Sequence, residues 1–338
     1  MAEPKPEEIM ANFEELNLLE SEFEDVELEL IRKTEALHAP LYKKRAELAA
    51  KIPHFWALVL EQSPPELDNF FQPSDSNIFA ECLKTINVSR FEMDDPKGSP
   101  RSFTIEFEFS ENKYFDNTVL AKKFWHRKST DGWQGHVSEP VQINWRKGQD
   151  LTGGLTDAAY KLSQAKKKLA SSGKKDVKET TLPEYKALAS KIEESEEASN
   201  SFFAWFAFVA SYRWVSAEES EKAHKIEAEQ KEKMKRGEKV DQDEEEPTDA
   251  DEQDYQETEV FPQGDEVAAL IADEMWPSAI KYYKHAHEAD DEDFSEIDED
   301  FDEENDQSED EVDIRGLVGK GRNSKFNDSP PSKKQRKF

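Results

Sequence analysis

Ile9, Leu16, Phe23, Leu30 and Leu37 recur at strict seven-residue spacing, and Leu19 and Val26 stand three residues after members of that series. Spacing of this kind lines one side of an α-helix with apolar side chains and defines a coiled-coil seam. It predicts one helix over 8–52. After Leu37 the phase slips by four, to Leu41, Leu48 and Ile52, which unwinds a supercoil locally. Pro40 falls at the slip and predicts a kink there, not a stop. At about 1.5 Å per residue the helix is on the order of 65 Å long, more than a body of roughly 200 residues can cover. The sequence holds no second long heptad run to pair with it. The seam therefore calls for a second copy of the chain, parallel or antiparallel, with Ile9, Leu16, Leu19, Phe23, Val26, Leu30 and Leu37 as dimerisation residues. A helix inside an intramolecular bundle is the competing reading.

Beyond the long helix the pattern changes. Ile52–Trp56 (IPHFW) ends it, a short helical piece runs to Glu61, two proline-containing breaks follow (63–65, 72–74), and Asn77–Lys84 fits another short helix. Phe103, Ile105, Phe107 and Phe109 then alternate with Thr104, Glu106, Glu108 and Ser110, the period of a half-buried strand. Similar strands fit Thr85–Phe91, Thr118–Arg127 and Val137–Arg146, with turn residues at 95–98, 111–112 and 131–132 between them. The expectation is a four-stranded antiparallel meander with one face covered by helices. Leu155–Leu169 returns to helix, the basic stretch to Lys178 reads as a mobile loop, and the aromatic run Asn200–Trp214 reads as a core helix. Asp265–His287 is an amphipathic helix, with Val267, Leu270, Ile271 and Met275 before Trp276-Pro277 and Ile280, Tyr282 and Tyr283 after it.

Charge divides the chain further. Of 338 residues, 76 are Asp or Glu and 45 are Lys or Arg, a net of −31, while hydrophobic residues make up 36%. That field repels nucleic acid and anionic membrane and attracts basic proteins. Residues 241–259 hold eleven acids and no base, and 288–313 hold seventeen in 26 residues and no base. Both read as unfolded. Residues 315–338 reverse sign, with eight bases and one acid. The organisation is then a backbone helix (1–60), the first part of an α/β body (61–215), a charged and mostly disordered insertion (216–264) whose first half, Glu218–Arg236, is helix-prone, the last helix of that body (265–287), an acidic tail (288–313) and a basic tail (314–338). The fold class is α+β: a long N-terminal dimerisation helix, a four-stranded antiparallel sheet covered by helices, and a disordered acidic tail. Cys82 is the only cysteine, which rules out an intramolecular disulfide and fits a reducing compartment. The apolar run Phe202–Ala210 is too short to span a bilayer, and the N-terminus lacks the pattern of a secretory signal.

Catalytic and cofactor patterns are missing: there is no GxGxxG and no GxxxxGK[ST]. His285 and His287 form the one close histidine pair, without a cysteine or carboxylate cage around it, so neither a metal nor a cofactor is expected. Solvated carboxylates keep ordinary pKa values and make poor acid–base dyads. The chain reads as a binding protein and not an enzyme. The 288–313 tract has a mechanism of its own, because a flexible polyanion competes with the phosphate backbone for lysines and arginines. A solubilising tail is the plainer reading. Phe294, Ile297 and Phe301, spaced through the acids, favour binding. Ser295 and Ser308, each followed by acids, have the form of acidophilic kinase sites. Lys333, Lys334, Arg336 and Lys337 read as a nuclear import signal, which implies a nuclear protein that can shuttle with the cytoplasm and uses an import receptor. The alternatives are a nucleic-acid contact and a segment that folds back on the acidic tract.

The order of the long heptad helix, AKIPHFW (Ala50–Trp56), FEFSENKYFDNTVLAKKF (Phe107–Phe124), INWRKGQDLT (Ile143–Thr152), SFFAWF (Ser201–Phe206), DEVAALIADEMWPSAIKYY (Asp265–Tyr283) and an acidic tail resembles the nucleosome assembly protein family. Within it, the chain is similar to the SET/template-activating-factor branch and its fungal relatives. The resemblance covers roughly 10–215 and 260–310. It implies a homodimer in which each long helix carries an α/β "earmuff" domain, and a histone chaperone that binds core histones and promotes nucleosome assembly and disassembly. The alternative is a regulatory subunit that activates a histone acetyltransferase or inhibits a protein phosphatase. The resemblance places histone binding at Gln149, Asp150 and Leu151 and at Asp265, Glu266, Asp273 and Glu274, with an ordinary solvated helix face as the plain reading of these acids. Core histones, a second copy of the chain and a histone acetyltransferase are the implied partners, with no membrane and weak or no binding of free DNA. The chain departs from the family at Asn112-Lys113-Tyr114-Phe115, where proline often follows the asparagine, and in its larger insertion at 216–264.

Overall fold

A computed structural model describes residues 6–95, 98–172, 178–195, 201–236 and 257–293, with side chains except at 6–11, 14 and 289–293. Helix α1 spans Pro6–Ala49 as 44 residues and runs unbroken through Pro40. Its length is about 66 Å. Leu16, Leu19, Phe23, Val26, Leu30 and Leu37 are between 46% and 73% exposed, so the heptad seam is left largely open to solvent. The side chain of Ile9 lies outside the described residues. The polypeptide reverses at His54, which sits in the left-handed region (φ 55). Its Nδ1 lies 3.0 Å from the Ala80 carbonyl, a contact that holds this costly conformation in place. Helices α2 (Phe55–Glu61), α3 (Pro65–Asp68) and α4 (Pro73–Cys82) follow.

The sheet is a meander, β1 (Leu83–Ser89), β2 (Phe103–Phe109), β3 (Val119–Lys128) and β4 (Gln134–Ser138), paired antiparallel in the order β1-β2-β3-β4. Ile86 opposes Phe107 and Val88 opposes Ile105, while Leu120 opposes Phe107 and Phe124 opposes Phe103. These residues share the buried face. Glu106 and Glu108 take the other face, near Asn87 (3.3 Å) and Lys84 (3.5 Å). The fourth strand differs from the expected Val137–Arg146. It ends at Ser138, because the chain turns away to bond Val209 and Phe206: Ser138 N donates to Val209 O and Val141 N to Phe206 O. Pro140 has no N–H to continue a ladder. Of the expected strand beyond Ser138, Trp145 keeps a single bridge, to Phe115.

The buried sheet face is covered by α5 (Leu155–Ser171), α6 (Pro183–Glu194), the aromatic run and the last helix. The aromatic run is a core element as expected but not an α-helix. Phe202–Ala207 form a 3-10 helix that then extends to a bridge between Ala210 and Val137. Every residue from Phe202 to Phe208 is buried or wholly enclosed, with no exposed side for an amphipathic helix. Phe107 packs against Phe202, Trp205 and Phe206 at ring distances of 5.9, 6.2 and 5.8 Å.

Helix α7 (Ala217–Lys235) falls in the segment read as an insertion, and it is docked. Ser220 Oγ accepts from Lys128 N at 3.1 Å, Glu227 pairs with Lys128 at 2.7 Å, and Lys231 reaches Asp25 on α1 at 2.8 Å. The chain returns at Glu257 and enters α8 (Gly264–Ala269), a π-helical turn (Leu270–Met275) and α9 (Ala279–Asp293). The Trp205 indole donates to Gly264 O at 2.7 Å, and any side chain at Gly264 would collide with the Phe208 ring. The expected single helix over 265–287 is broken at Trp276-Pro277, since proline has no N–H to continue the helical bonds. The Trp276 and Pro277 carbonyls accept from Arg45 at 2.5 and 3.2 Å, and the Arg45 guanidinium lies 4.2 Å from the Trp276 ring. Burial brings the Arg45 pKa down to about 10. One side chain thus fastens α1 to the end of the π-helical turn. Helix α9 extends past the expected end of the last helix at His287, so 288–293, read as unfolded, are helical. Residues 237–256, with most of the 241–259 stretch read as unfolded, and residues 294–338, with the import signal and the kinase sites, lie outside the described residues.

Candidate functional site

The seven residues read as a binding face fall into two patches. The first is the turn before α5. Asp150 Oδ1 accepts from Thr152 N at 2.8 Å and from Thr152 Oγ1 at 2.7 Å, an Asx turn that sets the start of the helix. Gly153 and Gly154, at φ 60 and 83, complete the reversal in the left-handed region that glycine tolerates. Gln149 is half-buried, with its N–H on Arg146 O, and Leu151 packs against the core. Asp150 therefore has a structural duty beside any binding duty. Asp150→Asn keeps an acceptor oxygen and is expected to leave the thermal midpoint nearly unchanged, while Asp150→Ala costs about 1 kcal/mol; equal midpoints for both in thermal melts would remove the turn argument.

The second patch is the last helix. Asp265 and Glu266 lie in the first turn of α8, and Asp273 and Glu274 lie in the π-helical turn. Such turns widen a helix and often mark functional positions. The structure divides these four acids. Asp273 is held by Arg90 at 2.5 Å, whose side chain is also fixed on Pro100 O at 3.1 Å. Glu274 accepts from the Tyr282 hydroxyl at 3.2 Å. Asp265 and Glu266 have no cationic partner among the described residues.

Sequence reasoning passed over α6, which lies between the patches. Its Tyr185 hydroxyl donates to Glu257 at 3.1 Å, and Lys191, six residues on, donates to Gly153 O at 3.0 Å. That is about 9 Å along the helix axis. Leu182-Pro183 and the spacing Tyr185, Leu188, Ile192 carried the signal: proline at a helix start and apolar residues three and four apart. Two further acids, Glu257 and Glu259, also belong to this region. Glu259 is partly buried, and its carboxyl pKa is raised by loss of solvent and by the charge of Asp265. Glu257, Glu259, Asp265 and Glu266 form a folded acidic edge with no ion pair to any described residue.

Among the described residues, no group of three His, Cys, Asp or Glu could hold a metal ion, and no helix is long and apolar enough to cross a membrane. The arrangement offers charge and apolar surface.

A family model described as nucleosome assembly protein (NAP) matches residues 47–286. A protein of Schizosaccharomyces pombe whose name places it among nucleosome assembly proteins is 34% identical over 149 residues, 41% of this chain and 59% of its own length. Protein SET of Drosophila melanogaster is 29% identical over 150 residues, 43% of this chain and 52% of its own. The match thus spans little more than half the length of these two relatives. NAP1-related protein 2 of Arabidopsis thaliana is 25% identical over 290 residues, covering 86% of this chain and 78% of its own. The crystal structure of Vps75 has the same fold, at 22% identity and a TM-score of 0.50, over 82% of this chain and 98% of that one.

Proposed function

The chain belongs to the nucleosome assembly protein family, and from that premise we propose that it is a histone chaperone, a binding protein that shields core histones, passes them to DNA and collects displaced ones. The observation that carries this reading is the folded acidic edge Glu257, Glu259, Asp265 and Glu266, which has no ion pair to a described residue. In sequence, 241–256 with nine acids and no base runs into it, and a second stretch without a base lies at 288–313, from the end of the last helix onward. Lysines and arginines of a basic protein would meet fixed carboxylates there, with a polyanion beside them that trades places with DNA phosphate. Of the seven residues carried over from the family, Asp265, Glu266 and Gln149 have side chains that no described residue holds in an ion pair. Asp150, Asp273 and Glu274 would act through the shape they hold as well as their charge. The exposed seam on α1 supports a homodimer, and the basic residues at 333–337 support nuclear import.

Purified core histones are expected to bind the intact chain at moderate salt. Removal of 288–313 should weaken binding by about tenfold and flatten its salt dependence, since fewer basic groups are then neutralised. Fluorescence titration at several salt concentrations measures both. If the intact chain fails to bind core histones, the chaperone reading falls. Unchanged affinity after truncation would confine histone binding to the folded edge.

A further inference from the structure

Beside the acidic edge lies a groove of about 580 Å³, built from segments far apart in sequence. Leu162 and Ala170 of α5, Tyr185 and Leu188 of α6, Val209 and Val260 give it apolar walls, and Trp214 stands at its lining, 43% exposed. Lys166, Lys167 and Arg213 also line it, but each faces an acid: Glu179 at 2.5 Å, Glu139 at 2.8 Å, and Glu219 at 2.6 Å. Among the described lining residues that leaves Lys178 and Glu259 without an ion pair; Glu257 stands two residues from Glu259, and Asp265 is near enough to raise its pKa. On the Glu259 side of this apolar space the charge with no ion pair to a described residue is therefore negative.

We infer that the groove receives an apolar side chain of a basic polypeptide segment, whose neighbouring lysine or arginine is held by Glu259 and the acids next to it. This rests on the chaperone reading and names a surface within it. Charge alone would bind any polycation. An apolar slot beside unpaired carboxylates selects basic segments that carry aliphatic residues, because burial there adds a contribution that salt does not screen. Trp214 suits the same occupant, since an indole face takes both an aliphatic stem and a cation. A second candidate for the slot is the chain's own basic stretch 315–338, which contains Leu317, Val318 and Phe326. The acidic edge is better matched to an external segment, because in sequence the acids of 288–313 come first after the body and offer that stretch nearer carboxylates.

The test uses the full chain and two synthetic peptides of equal length and charge, one alternating lysine with glycine and one lysine with leucine. The leucine peptide is expected to bind about tenfold more tightly at moderate salt, the effect of burying one such side chain. Ala170→Trp, which fills the groove from an exposed helix position, should abolish that preference and leave the glycine peptide unaffected. Glu259→Gln should weaken both peptides. Equal affinity of the wild type for the two peptides, or a preference that survives Ala170→Trp, overturns the inference. If removing 315–338 raises affinity for the leucine peptide alone, the chain's own tail is the occupant and the external assignment falls. Core-histone binding is measured in the same variants: histones that bind while the peptides show no preference refute the groove and leave the chaperone reading standing, whereas loss of both refutes the chaperone reading itself.

Discussion

Replacing Leu16, Phe23 and Leu30 with aspartate will halve the sedimenting mass of the protein. Those three residues, with Leu19, Val26 and Leu37, form a row that is more than two-fifths exposed at every position. Each apolar side chain of that size contributes about 1.5–3 kcal/mol when fully buried. Twelve of them, six from each of two copies, would supply on the order of 20–30 kcal/mol, against an association cost of about 4–15 kcal/mol. Six aspartates in the same seam remove about half of the gain and force charges together in an apolar interface. The balance then favours separate chains at micromolar concentration.

The same substitutions should leave each protomer folded. The seam side chains lie clear of the globular body, which reaches α1 by other residues: Arg101 pairs with Glu24 and Glu27 at 2.8 and 3.1 Å, Lys231 with Asp25 at 2.8 Å, and Arg45 grips Trp276 O. The near-ultraviolet signal of the buried tryptophans Trp205 and Trp276 should therefore persist in the monomer. A wild type that sediments as a monomer, or a triple variant that remains a dimer, defeats the argument.

The heptads were legible because the signal is repeated and local. So was β2, where four apolar residues alternate without interruption. Legibility failed where long-range contacts decide the outcome. The expected strand Val137–Arg146 contains a plausible alternation, but hydrogen bonds to Val209 and Phe206, more than sixty residues away, claim its backbone. The aromatic run announced its burial through composition and concealed its geometry, since a segment enclosed on all sides has no period to read. The candidate acids show the same limit. Sequence could set Asp273 and Asp265 on one helix, but the ion pair to Arg90, 183 residues away, separates their roles. The groove could not be read at all, because its walls come from α5, α6, the aromatic run and the strand-leaving loop together.

A single buried lysine should prove as consequential for the body as the seam is for the dimer. Lys122, on the core face of β3 opposite Ile105, is fully enclosed. Its ammonium donates to Glu139 O at 3.1 Å, Phe206 O at 3.2 Å and Phe208 O at 2.8 Å. These carbonyls belong to the chain leaving β4 and to the end of the aromatic run, where no regular ladder is available to satisfy them. Lys122→Met preserves much of the volume and removes the cost of burying a cation, an exchange that can be neutral when both partners of a buried pair are replaced. Here the acceptors remain. Phe206 O still receives Val141 N, but Phe208 O loses the donor that reached it and Glu139 O must find water. The expected loss is about 2–4 kcal/mol, a large share of the roughly 5–15 kcal/mol that holds a domain together. The pH dependence separates this from a simple packing defect. Burial pushes the Lys122 pKa well below that of free lysine. Between the folded and unfolded pKa values the unfolded chain binds more protons, so the lysine makes stability rise with pH across that window, up to about 10.4. Denaturant unfolding of both proteins at neutral pH and near pH 10 should show a smaller upward step for Lys122→Met than for the wild type. A variant as stable as the wild type at neutral pH would show that the three carbonyls do not depend on this side chain.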